Sequence, residues 1–136
     1  MKKTQPFIKW VGGKRQVLND LISSMPKTYK RFYEPFIGGG ALFFHIMPKN
    51  GYISDINPDL INLYEVVRDN VHELVEDLRK HENEEEYYYS IRNIDRTSEY
   101  NRWDNIQKAS RLVYLNKKKY LINNNIFAYL LKCVNS

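Results

Sequence analysis

The residues best suited to do chemistry lie around a triplet of glycines. Gly38-Gly39-Gly40 follows Phe32, Tyr33 and Phe36, the aromatic content of a strand end. Successive glycines can take positive φ and bring bare backbone close to a ligand. Ala41 to Met47 then predicts a short apolar helix, stopped at Pro48. A helix whose first turn follows such a loop offers free N–H groups to a polar or anionic group. Gly51 to Ser54 predicts a second strand, with Asp55 at its C-terminal end. A carboxylate at that point is placed to accept hydrogen bonds from ribose hydroxyls. Glu34, just before Pro35, has two readings: partner of a basic residue, or acceptor for an amino group of a bound molecule.

The elements that must hold these residues follow from the same stretch. Strand, glycine turn, helix, strand and acid is the layout of a nucleotide-binding α/β unit. Its dinucleotide fingerprint is incomplete: Gly38 and Gly40 match the first two glycines, but Phe43 stands at the third. That favours an adenosine-containing ligand other than NAD. Upstream, Lys14 opens a predicted helix with Val17, Leu18, Leu21, Ile22 and Met25 on one face, ended by Pro26. Gly12-Gly13-Lys14 fails as a phosphate loop, since Ile8 stands where that pattern needs its first glycine. What survives is a helix N-terminus with an attached cation. Asn57 caps the next helix and Pro58 takes its first position. That helix, Pro58 to Arg68, turns Leu60, Ile61, Tyr64 and Val67 inward. After a break near Asp69-Asn70, Val71, Leu74, Val75 and Leu78 form a second apolar stripe. Ile106 to Asn116 predicts another helix. His72 and His81 read as surface histidines and His45 as helix packing, because no metal-type ligand spacing surrounds them.

Three blocks in one order carry a family resemblance. They are Phe7-Ile8-Lys9-Trp10-Val11-Gly12-Gly13-Lys14, then Tyr33-Glu34-Pro35-Phe36-Ile37-Gly38-Gly39-Gly40-Ala41-Leu42-Phe43-Phe44, then Ser54-Asp55-Ile56-Asn57-Pro58-Asp59-Leu60-Ile61-Asn62. Together they resemble the N-terminal part of a Dam-type DNA adenine N6-methyltransferase, from about Phe7 to Lys117. The resemblance implies S-adenosylmethionine as cofactor and double-stranded DNA as partner. It implies an α/β fold: a partial Rossmann-like methyltransferase sheet with the start of a helical target-recognition lobe. Carried over residue by residue, it names Trp10, Lys14, Phe36, Gly38, Gly40 and Asp55 as cofactor contacts. It names Lys9, Arg92 and Arg96 as DNA contacts. The plain readings stand beside these: Trp10 as a core aromatic, and Lys9, Lys14, Arg92 and Arg96 as surface charges. The implied organisation is a cofactor-binding part over 1–69, the start of the recognition region over 70–117, and an atypical tail over 118–136.

Composition is consistent with this. The chain has 136 residues, 43% hydrophobic and 14% aromatic, so it is no disordered polymer. One cysteine, Cys133, rules out an internal disulfide and fits a reducing cytoplasm. No signal-peptide pattern and no membrane-length apolar run is visible. The net charge of +5 is uneven: residues 1–31 and 105–136 are strongly basic, and fifteen of the sixteen acids fall in 32–104. Basic ends around an acidic middle fit a polyanion contacted at particular places. Residues 87–103 mix Tyr87-Tyr88-Tyr89, Arg92, Arg96, Tyr100, Arg102 and Trp103, the residue types found where bases and phosphates are contacted. A small helical lobe with Tyr88, Ile91 and Trp103 in its core is the alternative.

The resemblance also sets an expectation by what is missing. The family holds its flipped adenine with an Asp-Pro-Pro-Tyr motif, and no such string occurs here. The expectation is therefore a chain cut short before that motif, with little activity alone and an exposed sheet edge. A complementing C-terminal half or a cognate restriction endonuclease is the partner such a chain would have. Two other classes are open at this point: a non-catalytic DNA- or cofactor-binding module, and a nucleotide-dependent enzyme of dinucleotide type.

Overall fold

A computed structural model of the chain describes residues 5–117. The atypical tail expected at 118–136 lies outside the described residues. The chain divides into two compact units, Met1–Asn57 and Pro58–Ser136. Among the described residues helices and strands are mixed, with one small parallel sheet, which is compatible with the α/β class.

The first unit contains α1 (Leu18–Ser24), β1 (Phe32–Glu34), α2 (Ala41–Ile46) and β2 (Gly51–Ile53). The strands pair in parallel, Phe32 opposite Gly51, Tyr33 opposite Tyr52 and Glu34 opposite Ile53. Parallel strands need a crossover, and the glycine turn with α2 supplies it. Alternation along β1 buries Phe32 and Glu34 and leaves Tyr33 out. On the outer face Tyr33 stacks on Tyr52 at 4.9 Å, with both rings more than half exposed. On the inner side Phe7 meets Phe44 edge-on at 5.6 Å, and Ile8 and Ile37 complete the buried cluster.

One expectation fails in this unit. The helix expected to open at Lys14 begins four residues later, at Leu18. Gly12 takes φ +74°, Gly13 N–H closes a turn on the Trp10 carbonyl, and Lys14 extends to Glu34 instead of starting a helix. Lys14 is thus not a helix-start cation. The predicted apolar face is also only half covered: no residue of α1 is buried, and Val17 is largely open.

The second unit is helical: α3 (Pro58–Asp69), α4 (Val71–Leu78), α5 (Glu85–Asn93), 3-10 turns over Ile94–Arg96 and Ser98–Arg102, and α6 (Asn105–Lys117). α3 and α4 both pack on α6. Leu60, Leu63, Leu74, Leu78, Ala109 and Val113 form the centre of this core. The break between α3 and α4 falls at Asn70, and the stripe Val71, Leu74, Val75, Leu78 is fully buried, as its spacing predicts. Among the described residues no helix is long and apolar enough to cross a membrane.

His81 is not a surface histidine. It lies half-buried between two elements: Nδ1 is 2.8 Å from the Tyr87 hydroxyl and Nε2 is 2.9 Å from Ser110 Oγ. Its ring stacks on Tyr114 at 4.4 Å, and the Tyr114 hydroxyl donates to the Glu82 carbonyl. Burial holds the His81 pKa below its ordinary 6.5, opposed by nearby Asp77 and assisted by Lys80. The same burial raises the phenols of Tyr87 and Tyr114. Because the folded state prefers neutral His81, its contribution is fully present above about pH 6.5 and is lost as pH falls below that toward the lowered folded value. A urea midpoint measured at about pH 7.5 and about pH 5.5 is expected to drop for the native chain. His81→Phe, leaving Tyr87 and Ser110 unpaired, is expected to lose ~1–3 kcal/mol at the higher pH and to show a smaller further drop. Equal pH sensitivity in both proteins would contradict this assignment.

Candidate functional site

The glycine turn and the two strand ends bring five side chains and a run of backbone together. β1 ends in Glu34, whose side chain is buried because the alternation of the strand points it inward. Lys14 Nζ bonds Glu34 Oε1 at 3.0 Å and also donates to the Phe36 carbonyl. The other carboxylate oxygen, Glu34 Oε2, is buried and has no hydrogen-bond partner among the described residues. A buried carboxylate oxygen left without a donor is costly unless something brings one. Of the two readings of Glu34, the basic partner is therefore realised through one oxygen, and the other oxygen remains available.

Beyond Glu34 the chain turns through Gly38 at φ +50° and Gly40 at φ +77°, the left-handed region that side chains resist. The Trp10 ring lies against this turn, 3.4 Å from where a Cβ on Gly38 would sit. A Cβ on Gly39 would come within 3.1 Å of the Ile8 carbonyl, so the turn and the N-terminal segment approach as backbone to backbone. Asp55 closes the far side. Its Oδ2 accepts from Gly38 N–H at 3.0 Å and its Oδ1 from Asn57 N–H at 3.1 Å. Asp55 thus braces both the glycine turn and the approach to the next helix. Each of its oxygens still carries a second lone pair. Phe36 is 71% exposed beside the turn, and Val11 and Ile56 are almost fully exposed. Trp10, Lys14, Phe36, Gly38, Gly40 and Asp55 all belong to this one constellation. Glu34 belongs to it as well, and its buried place follows from a strand alternation too short to be read from three residues of sequence.

The residues considered for DNA are divided between the two units. Lys9 is exposed on the N-terminal segment of the first unit. Arg92 and Arg96 belong to the second unit, exposed at the junction where α5 passes into the first 3-10 turn. They stand four residues apart, Arg92 in the last turn of α5 and Arg96 at the end of the 3-10 turn. Ile91 beneath them is buried, while Tyr88 and Trp103 are partly covered. Arg111, which no sequence pattern marks, is buried behind this junction.

Residues 10–130 match the family described as D12 class N6 adenine-specific DNA methyltransferase. The chain belongs to this family. It is 44% identical over 113 residues to the type II methyltransferase M1.LlaDCHI of Lactococcus lactis subsp. cremoris, an overlap of 82% of this chain and 40% of that protein. It is 35% identical over 136 residues to the type II methyltransferase M.MjaIII of Methanocaldococcus jannaschii, covering 87% of this chain and 47% of the other. The DNA adenine methylase of Escherichia coli K12 is 35% identical over 124 residues, covering 88% and 43%. The chain thus spans less than half the length of the curated relatives it matches. As a D12-class chain it carries the glycine turn, the part-buried Glu34–Lys14 pair and the braced Asp55 within the matched residues.

Proposed function

We propose that the Met1–Asn57 unit is the S-adenosylmethionine-binding part of a Rossmann-like adenine-specific DNA methyltransferase domain, and that the helical unit opens its DNA target-recognition region. The observation that carries the cofactor reading is the buried, unpartnered Glu34 Oε2 next to a glycine turn braced by Asp55. These residues fit the cofactor's chemistry. Glu34 supplies an acceptor for an ammonium group, and Lys14 a cation for a carboxylate. Asp55 has lone pairs for ribose hydroxyls, and Trp10 and Phe36 offer aromatic surface to a purine. Gly38 and Gly40 keep the backbone bare where the ligand must come close. When bound, S-adenosylmethionine supplies an electrophilic methyl group on a sulfonium.

What this chain's residues do on this reading is bind and orient. Glu34 and Lys14 neutralise each other in part, so the site can hold a zwitterionic group without leaving a net buried charge. Asp55 links ligand position to the shape of the turn. Lys9 in the first unit and Arg92 and Arg96 in the second each contact phosphates, contacts that position the duplex without reading its sequence. No Asp-Pro-Pro-Tyr string occurs in the 136 residues, so no catalytic residue is assigned among them. On this reading that motif comes from beyond these residues, on the same or a second polypeptide.

Labelled S-adenosylmethionine incubated with the chain and duplex DNA tests the whole reading. The expected result is saturable retention of label on the protein and none in DNA adenine. Label in adenine would overturn the assignment of no catalytic residue, and no retention on folded protein would overturn the cofactor site.

A further inference from the structure

Arg111, in the helical unit, is a heavily engaged charged side chain. It projects from α6 and is 7% exposed. Its Nε donates to the Ile91 carbonyl at 2.9 Å and its Nη2 to the Arg92 carbonyl at 2.8 Å. The same Nη2 pairs with Asp95 Oδ2 at 3.0 Å. Its guanidinium lies 5.3 Å from the centre of the Tyr100 ring, which also carries Lys108 Nζ at 5.2 Å. The Tyr100 hydroxyl in turn reaches Asp59 Oδ1 on α3 at 3.3 Å. One side chain therefore ties α6 to the last carbonyls of α5, to the first 3-10 turn and to the second.

The carbonyls it holds stand in the last turn of α5. Carbonyls at a helix C-terminus lack intrahelical donors, and a cation there both satisfies them and suits the helix dipole. Arg111 fills that role from inside the unit, which leaves Arg92 and Arg96 free of it. Both side chains are exposed. The planar fork of a guanidinium is what permits two carbonyls and a carboxylate to be met at once, and lysine cannot reproduce it.

We propose that Arg111 is a positioning residue: by clamping the α5 C-terminus it fixes Arg92 and Arg96 as a paired contact for adjacent phosphates of duplex DNA. This rests on the DNA reading given above. Arg111 is buried and touches no DNA itself. Its effect is on how much of the cost of ordering the two exposed arginines is met before binding.

The test is a double-mutant cycle read by fluorescence anisotropy of a labelled duplex over a range of salt. Arg92→Ala and Arg96→Ala are each expected to weaken binding and to reduce the salt slope by about 1. Arg111→Lys keeps the net charge, yet is expected to weaken binding by about as much as either, on the order of tenfold. Adding Arg92→Ala to Arg111→Lys is then expected to cost little more. Fully additive losses, or native-like binding by Arg111→Lys, would overturn the positioning role, because a merely structural arginine leaves the Arg92 contact intact. Native binding by both Arg92→Ala and Arg96→Ala is a different failure: it removes the DNA reading itself, and the proposal with it. Circular dichroism checks folding. If Arg111→Lys does not fold, Asp95→Asn takes its place. It removes a negative charge, so electrostatics alone predicts tighter binding, whereas a loosened clamp predicts weaker binding. Tighter binding would count against the proposal.

Discussion

Replacing Asp55 with alanine is expected to weaken S-adenosylmethionine binding by on the order of 100-fold, the loss of about two charge-assisted hydrogen bonds. The carboxylate does two things at once. It accepts from Gly38 and Asn57 N–H groups, and on the proposed reading its remaining lone pairs take the ribose hydroxyls. Alanine removes the ligand contacts and also releases the glycine turn. The folded chain should survive, with a stability loss of ~1–2 kcal/mol from the two unpaired backbone donors. Asp55→Asn is expected to be almost as damaging to binding. Both oxygens already face backbone donors, so the amide must point its own N–H groups at one of them. Calorimetric titration measures the affinity, and a urea midpoint measures the stability. A large stability loss with unchanged affinity would mean that Asp55 braces the turn and does not meet the ligand.

The second large effect is on Lys14. Removing it by Lys14→Met leaves Glu34 charged and buried, with neither oxygen paired. Breaking a fully buried ion pair from one side costs ~3–5 kcal/mol. Here the Lys14 side chain is 31% exposed and that of Glu34 is 5%, so water screens part of the pair and the expected loss is ~2–3 kcal/mol. Adding Glu34→Gln should recover much of it, since the unpaired charge is then gone. The recovered double variant should still bind the cofactor poorly. Denaturation midpoints of the two single variants and the double variant check the first part. Lys14→Met as stable as the native chain would show that the pair holds nothing together.

Much of the first unit was legible because its signals are local. Phe32 to Phe36, the three glycines, the apolar run from Ala41 and the Asn57-Pro58 start each announce their element within a few residues. The strand, turn, helix and strand stand at those positions. The error at Lys14 has a physical cause: periodicity from Val17 to Met25 extends a helix backward, but Lys14 bonds a residue twenty positions away. His81 differs from its expectation for the same reason, since one of its partners is Ser110 on α6. A signal existed, since Tyr87 and Tyr114 accompany it. A histidine near several tyrosines has ready hydroxyl partners. Arg111 was harder. Its partners are backbone carbonyls at Ile91 and Arg92, which no side-chain pattern reveals. The hint is only that an arginine interrupts the apolar side of α6 between Ala109 and Val113, both buried. Glu34 is intermediate: its identity was noticed, and its burial required the strand pairing.

The most direct measurement is a calorimetric titration of the folded 136-residue chain with S-adenosylmethionine, run beside the same titration with NAD. Saturable one-site binding of S-adenosylmethionine and none of NAD is expected, because Phe43 replaces the third glycine of a dinucleotide turn. No heat with S-adenosylmethionine from a chain that is folded by circular dichroism, or binding of NAD in its place, would contradict it.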